Sequence, residues 1–185
     1  VSFRSKEEPE IFGFAFDHRK QLLDLAKKYG VDFKQISKIK KLFIKSTQKA
    51  IDKLNIPEKN IGVLIDDTYG EDALNSIAEK SWWIGRPVEL PSSRPLKFEG
   101  ERSIGSKIQS WPLTHIVKCL FFYHPDDSEE LKNKQEQKIK ELYFACLQSG
   151  HQLLLEVIPP SEFENDEIAI PNILQRFYGL EIKPD

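Results

Sequence analysis

The fold of this chain is decided by the stretch IVKCLFFY at residues 116–123, which ends in the polar tetrapeptide HPDD at 124–127. A near-continuous apolar run of this length is typical of a strand that is buried on both faces of a parallel sheet. The next residues, 128–149, carry apolar side chains at helical spacing, with Asp127 as the predicted N-cap and Gly150 as the predicted end. This part of the chain therefore predicts a buried strand followed by a long helix.

The same alternation of strand and helix extends in both directions from this stretch. Four further strand-type runs occur, at residues 11–16, at 61–65, at either 82–84 or 87–90, and at 152–158. Helical spacing marks residues 20–29, 36–54, 71–80 and 166–178. The second of these helices has a predicted buried face with lysines opposite, formed by Ile36, Ile39, Phe43, Thr47, Ala50, Ile51 and Leu54. Alternating β and α segments with buried strands predict a parallel α/β fold.

Two features favour a closed (β/α)₈ TIM barrel over an open doubly wound sheet. No glycine-rich phosphate loop follows the first strand, and the strands end in charged or polar residues, as they do around the rim of a barrel. A complete barrel typically needs about 250 residues. We therefore expect residues 1–185 to form a single incomplete domain that supplies about the first five βα units. An open edge after the fifth strand would then have to be covered by residues outside this sequence.

Composition and charge argue against several classes of protein. The chain has 27 basic and 29 acidic residues, and its formal net charge of −2 gives no reason to expect nucleic acid as a partner. No apolar run approaches the roughly 20 residues of a membrane-spanning helix, so no membrane association is expected. The two cysteines, Cys119 and Cys146, lie in apolar or predicted helical segments, which favours a reducing cytoplasm over a disulfide framework.

Charged residues directly after the predicted strands are the first candidates for a functional site. Asp17, His18 and Arg19 follow the first strand, and Asp66 and Asp67 follow the second. The aspartates have an alternative structural role, because an aspartate at the start of a helix commonly caps it. The sequence leaves both roles open.

Three arginines flank or lie in a long irregular stretch at residues 91–112. Arg86, Arg94 and Arg102 are candidates for binding carboxylate or phosphate groups, although solvated loop arginines are more common. The histidines and aspartates of the chain are too scattered to predict a metal site, and we expect neither a metal nor a cofactor.

Lys118 and Glu156 interrupt apolar segments that are predicted to be strands, where charged residues are seldom buried unless they are paired. If both side chains point into the barrel, they face each other across neighbouring strands. Burying either charge alone would cost several kcal/mol. We therefore expect both residues to be largely buried and paired. The alternatives are a purely structural ion pair or a side chain that reaches solvent.

Five motifs of the chain carry a resemblance to a known family. They are FAFDHR at 14–19, LIDDTYG at 64–70, WIGRPVELP at 83–91, VKCLFFYHPDD at 117–127 and LLEVIPP at 154–160. Together they resemble the aldolase-type domain that is fused behind the sugar kinase in some bacterial inositol-catabolism proteins, and more distantly the class I tagatose-bisphosphate aldolases. The resemblance implies a TIM barrel that cleaves 6-phospho-5-dehydro-2-deoxygluconate to dihydroxyacetone phosphate and malonate semialdehyde through a lysine imine.

The resemblance also implies roles for particular residues. It makes Glu156 the acid–base carboxylate and Lys118 a second pocket residue, so these two are the candidate catalytic residues. It places Asp17 and His18 at the mouth of the site, although tagatose aldolases have a glutamine at the position of His18. The lysine that forms the Schiff base would lie on a sixth strand, just after Asp185 and outside this sequence.

Arg19, Asp66 and Arg86 complete the set of candidate substrate-binding residues. The implied partner is a phosphorylated keto-sugar acid, with its phosphate bound after strands seven and eight. The sequence leaves open whether the chain forms a homo-oligomer and whether a sugar-kinase domain precedes Val1.

Two other functions remain compatible with the sequence. One is a catalytically inactive barrel that binds a sugar phosphate or serves as a regulatory module. The other is a metal-dependent aldolase, which would be sensitive to a chelator.

Overall fold

The computed structural model of the protein describes residues 10–100, 103–163 and 167–185. Its strands are β1 Phe12–Ala15, β2 Ile61–Leu64, β3 Trp83–Pro87, β4 His115–Phe122 and β5 Leu153–Ile158. Its helices are α1 Lys20–Lys28, α2 Lys34–Leu54, α3 Asp67–Asn75, α4 Ile104–Ile108, α5 Glu129–Ser149 and α6 Ala169–Gly179, with short 3₁₀ turns at Glu58–Asn60 and Ser161–Phe163. The chain divides into two compact units, with the boundary between Pro87 and Val88.

The first unit contains three parallel strands. β1 pairs with β2 in the register Phe12↔Ile61, and β2 pairs with β3 in the register Gly62↔Trp83. A hydrophobic core lies between these strands and the helices, formed by Phe16, Ile44, Ile51, Ile61, Val63, Ile65, Ala73, Ile77, Trp82 and Ile84. β3 overlaps both of the ranges that the sequence offered for the third strand, 82–84 and 87–90, and includes the residues between them.

The buried face of α2 differs from the predicted one. Its buried residues are Ile36, Lys40, Ile44 and Ile51, whereas Ile39 is 40% exposed and Leu54 is 65% exposed. The prediction that the lysines lie opposite the apolar face is wrong for Lys40. Lys40 follows Ile36 by four residues and precedes Ile44 by four residues, so the helical period places all three on one stripe.

The second unit contains two parallel strands. β4 pairs with β5 in the register Leu120↔Glu156. On the other side of β4, the backbone N–H of Val88 donates to the carbonyl oxygen of Lys118 at 3.0 Å. The core of this unit includes Val117, Cys119, Phe121, Tyr123, Ile139, Leu142, Cys146, Ile173 and Phe177. The five predicted strand regions and the α/β fold are thus confirmed, while closure into a full barrel stays a prediction. The expectation that the strands are buried is wrong for β1, because all four of its residues are exposed.

Two predicted helix boundaries need correction, and a third lies outside the described residues. Ser128, and not Asp127, caps α5, because its Oγ accepts from the backbone N–H of Leu131. α3 begins at Asp67, four residues before the predicted start, and the predicted start of α6 at residue 166 lies outside the described residues. Gly150 ends α5 as predicted, with a left-handed φ of 79° that glycine adopts without strain.

Candidate active site

The second unit brings three charged side chains together, and we name Glu89, Lys118 and Glu156 the carboxylate–lysine triad. The Lys118 Nζ lies 3.0 Å from the Glu156 Oε2 and 4.0 Å from the Glu89 Oε1. The register of β4 and β5 explains the first contact, because Glu156 is opposite Leu120 and Lys118 lies two residues before Leu120. Residues two apart on a strand point to the same face. The predicted pairing of Lys118 with Glu156 is confirmed.

The burial of the triad is uneven. Lys118 and Glu89 are 3% and 5% exposed, whereas the Glu156 side chain is 47% exposed. The prediction that both Lys118 and Glu156 are largely buried is therefore wrong for Glu156. The physical reason is its strand: in the part of the chain that the structure describes, β5 pairs with β4 along one edge only. A carboxylate on such an edge strand stays in contact with solvent.

Glu89 is a member of the triad that the sequence analysis did not select. Its Oε2 accepts a hydrogen bond from the backbone N–H of Leu120 at 3.1 Å, so the carboxylate is fixed along the edge of β4. The signal was present, since Glu89 lies in the apolar run at residues 87–90. That run is one of the two ranges predicted for the third strand, and a glutamate that is buried within a strand requires a partner. The partner is the Lys118 ammonium.

The turn after β4 is held by structural contacts. Arg94 forms an ion pair with Asp127, and its Nη1 lies 2.6 Å from the Glu162 Oε1. The ring of His124 stacks on Phe163 with the centroids 3.8 Å apart. The Arg94 guanidinium thus binds carboxylates of the protein itself, and Arg102 lies outside the described residues.

In the first unit, the strand-end pair of Lys40 and Asp66 is completely buried. Both side chains have 0% exposure, and the Lys40 Nζ donates to the Asp66 Oδ1. The Asp66 Oδ2 accepts from the backbone N–H of Tyr69 at 2.7 Å, so Asp66 also caps α3. Burial lowers the pKa of the Lys40 ammonium from its ordinary value, and the Asp66 carboxylate opposes this shift.

The residues after β1 form a turn beside this pair. The Lys40 Nζ donates to the carbonyl oxygens of Phe16 at 2.7 Å and His18 at 3.1 Å. Asp17 and Arg19 are buried, whereas His18 is exposed. Asp17 lies between the two bonded carbonyls, and in the structure it does not cap α1, which begins without a side-chain cap.

Arg86 pairs with the other aspartate that follows β2. Its Nη2 lies 2.7 Å from the Asp67 Oδ1, and its Nε donates to the same oxygen at 2.9 Å. The guanidinium is therefore oriented by Asp67 at the end of β3. Its predicted role in substrate binding stays a prediction.

The described residues offer neither a metal site nor a membrane-spanning helix. Within residues 10–100, 103–163 and 167–185, no group of three or more His, Cys, Asp or Glu side chains is placed to hold a metal ion. Over the same residues, no helix is both long enough and apolar enough to cross a membrane.

Comparison with known proteins identifies a family but no activity. None of the curated proteins compared with the chain matches its sequence significantly. One family model matches residues 1–185, and its description reads "Uncharacterized protein conserved in bacteria (DUF2090)". Because this match spans the whole sequence, the chain belongs to that bacterial family.

Proposed function

We propose that this chain belongs to a class I aldolase that cleaves 6-phospho-5-dehydro-2-deoxygluconate in inositol catabolism. The single observation that carries the proposal is the carboxylate–lysine triad, in which a buried ammonium lies against a solvent-exposed carboxylate on the neighbouring strand. The resemblance of the chain to inositol-catabolism aldolase domains supplies the substrate. The proposed compartment is the cytoplasm.

The chemistry proceeds through an imine. A lysine outside this sequence attacks the substrate ketone, and water leaves as the protonated imine forms. Glu156 removes the proton from the hydroxyl group on the β carbon, and the bond between the α and β carbons breaks. The bonding electrons move to the protonated imine, so an enamine forms and malonate semialdehyde is released. Glu156 returns the proton to the α carbon, and water then releases dihydroxyacetone phosphate from the lysine.

The geometry of the triad supports these roles. Its formal charge of −1, from two carboxylates and one ammonium, is complementary to the positive charge of a protonated imine. The exposed Glu156 is accessible to a substrate, whereas the buried Lys118 is held between Glu156 and Glu89. We assign Lys118 to orienting the substrate carbonyl and keeping Glu156 in place.

The contacts of Asp185 support the position of the imine-forming lysine. The backbone N–H of Asp185 donates to the Leu153 carbonyl oxygen at 3.1 Å, and the Leu153 N–H donates to the Asp185 Oδ2 at 3.0 Å. The backbone groups of neighbouring residues on a strand point to opposite sides. The Gln152 carbonyl oxygen accepts from the Val117 N–H on β4, so the N–H and carbonyl groups of Leu153 point away from β4. A strand that continued from Asp185 along this edge of β5 would pass beside Glu156.

The decisive experiment uses the protein encoded by the complete reading frame. Release of dihydroxyacetone phosphate is followed by its coupled reduction, with 6-phospho-5-dehydro-2-deoxygluconate as the substrate. Glu156→Gln should lower kcat by about 10²–10⁴-fold, the usual contribution of general acid–base catalysis. Glu141→Gln is the matched control, because Glu141 pairs with Lys138 on the surface of α5, and its kcat should equal that of the wild type.

Borohydride trapping identifies the nucleophile in the same protein. Reduction in the presence of dihydroxyacetone phosphate should add a stable mass to the wild type and also to Lys118→Met. Labelling that is lost in Lys118→Met alone would make Lys118 the nucleophile and would contradict our assignment. A wild-type protein that binds the substrate without cleaving it would favour a binding or regulatory module, and cleavage that a chelator abolishes would favour a metal-dependent aldolase.

A further inference from the structure

Lys40 is a buried cation for which the proposed chemistry has no use. It lies in the middle of α2, and its side chain is fully removed from solvent. An ammonium group has three N–H donors. The three acceptors around Lys40 are the carbonyl oxygens of Phe16 and His18 and the Asp66 carboxylate, so the protein itself uses all three donors.

These acceptors are placed on the carboxyl ends of two neighbouring strands. Phe16 directly follows β1, and its backbone N–H still bonds to the Leu64 carbonyl oxygen at the end of β2. Asp66 follows β2 and caps α3. One side chain of α2 therefore ties together the ends of β1 and β2 and the start of α3. In parallel α/β folds, this end of the strands carries the functional residues.

The hydrogen bonds of Lys40 fix the backbone on both sides of Asp17. They join the carbonyl groups on either side of Asp17, so the backbone conformation of the Asp17–His18 turn is fixed from within the protein. Asp17 is buried beside this anchor, while His18 is exposed. A loop without such bonds would sample many backbone conformations.

Simple stability is a weak explanation for a lysine at this position. A buried ion pair must offset the desolvation of both charges, and apolar residues of similar size are often as stable. An apolar residue at position 40 would complete the stripe of Ile36 and Ile44 on α2. It would, however, leave the carbonyl groups around Asp17 without their donor. Only a long side chain with N–H donors can bond to both carbonyl oxygens and so fix the Asp17–His18 turn.

We propose that Lys40 is a positioning residue that holds the Asp17–His18 turn in its substrate-binding conformation. This inference rests on the proposed function and on the predicted role of Asp17 and His18 as substrate-binding residues. Lys40 does not itself touch the substrate, because its donors are bonded to the protein. Its effect on the reaction passes through the turn.

The test separates the loss of the anchor from the loss of folding. Lys40→Met alone leaves the Asp66 carboxylate buried and unpaired, so instability would obscure any effect on the turn. In Lys40→Met combined with Asp66→Asn, this charge is removed, and the asparagine oxygen can still cap α3. Asp66→Asn alone is the matched control. It removes the counter-charge of the buried Lys40, but even the neutral amine keeps two N–H donors for the carbonyl oxygens of Phe16 and His18.

We expect the double variant to be more stable than Lys40→Met. Amide hydrogen exchange in residues 16–19 should be faster in the double variant than in the Asp66→Asn control. Its kcat/KM should fall by about 10²-fold relative to that control, mainly through KM, since a displacement of about 1 Å in a positioning group has an effect of this size. Lys40→Gln with Asp66→Asn retains N–H donors and should recover part of both losses.

Two kinds of outcome overturn the proposal. Unchanged exchange in residues 16–19, or a kcat/KM that returns to the control value as stability returns, would make Lys40 purely structural. Failure of both double variants to fold would show that the anchor cannot be separated from folding. If the wild-type protein has no cleavage activity, the proposed function fails, while hydrogen exchange still decides whether Lys40 anchors the turn.

Discussion

The two units of the chain each contain a buried lysine at strand level, but they use it differently. Lys40 and Asp66 are both at 0% exposure, and the donors of Lys40 are bonded to groups of the protein. Lys118 is equally buried, but its nearest carboxylate, Glu156, is 47% exposed. We call Lys40 and Asp66 the closed pair, because both are buried, and Lys118 and Glu156 the open pair, because Glu156 is exposed. A closed pair can hold a backbone conformation, whereas an open pair can also exchange a proton with a ligand. Burial of a lysine therefore does not by itself indicate catalysis.

The largest expected effect concerns stability and compares the two lysines directly. Lys40→Met should lower the free energy of unfolding by about 3–5 kcal/mol, because it leaves Asp66 as an uncompensated buried charge. Lys118→Met should have a smaller effect, of about 1–3 kcal/mol, because Glu156 remains hydrated and the buried Glu89 lies 4.0 Å from Lys118, without the direct hydrogen bond that joins Asp66 to Lys40. Urea unfolding of both variants measures the difference. A larger loss in Lys118→Met would contradict the distinction between closed and open pairs.

Sequence reasoning reached the open pair but not the closed one. Lys118 and Glu156 interrupt segments in which nearly all of the other residues are apolar, so the two charged residues are easily recognised. Lys40 lies in a helix with many lysines, and the predicted apolar face was displaced toward Ile39 and Leu54. The spacing of four residues from Ile36 to Lys40 and from Lys40 to Ile44 was the available signal. A displacement of one residue rotates a helical face by about 100°, which is enough to exchange buried and exposed side chains.

The strands were predicted more reliably than the site for a physical reason. A strand is specified mainly by its own apolar residues, so each predicted strand region overlaps an observed strand. The triad depends on residues that are distant in sequence: Glu89 meets Lys118 through the bond between Val88 and β4. The exposure of Glu156 depends on what covers the edge of β5, which a local pattern does not specify. The family match and the fold leave the chemistry of the site to experiment.

Cys146 is a buried titratable group that, unlike Asp66 and Glu156, has no lysine partner among the described residues, so its effect on stability can be compared with that of the two pairs. Burial raises the pKa of Cys146 to about 12, and the negative charge of Asp185 adds to the shift. Because the pKa is raised in the folded state, the stability contributed by Cys146 is complete below its unfolded pKa of about 9 and is lost as the pH rises toward 12. By pH 10 the loss should be about 1 kcal/mol.

The measurement is urea unfolding at pH 8 and at pH 10 in the wild type and in Cys146→Ala. The variant will be less stable at both pH values because it leaves a cavity, so the quantity to compare is the change between them. The wild type should lose about 1 kcal/mol more than Cys146→Ala over this interval. Equal losses in the two proteins would show that the Cys146 thiol does not contribute to the alkaline destabilisation.

The smallest expected effect is also the one that separates a catalytic carboxylate from a structural one. Glu156→Gln should change the free energy of unfolding by about 1 kcal/mol or less, because an ion pair with a half-exposed partner contributes little to stability. Lys118 would still have Glu89 as a buried counter-charge, and glutamine keeps the shape of the side chain. Urea unfolding of this variant should thus give nearly the wild-type curve, even though its turnover is expected to fall by orders of magnitude. A loss of several kcal/mol would mean that Glu156 is needed to compensate Lys118, and the pair would then be a structural one like Lys40 and Asp66.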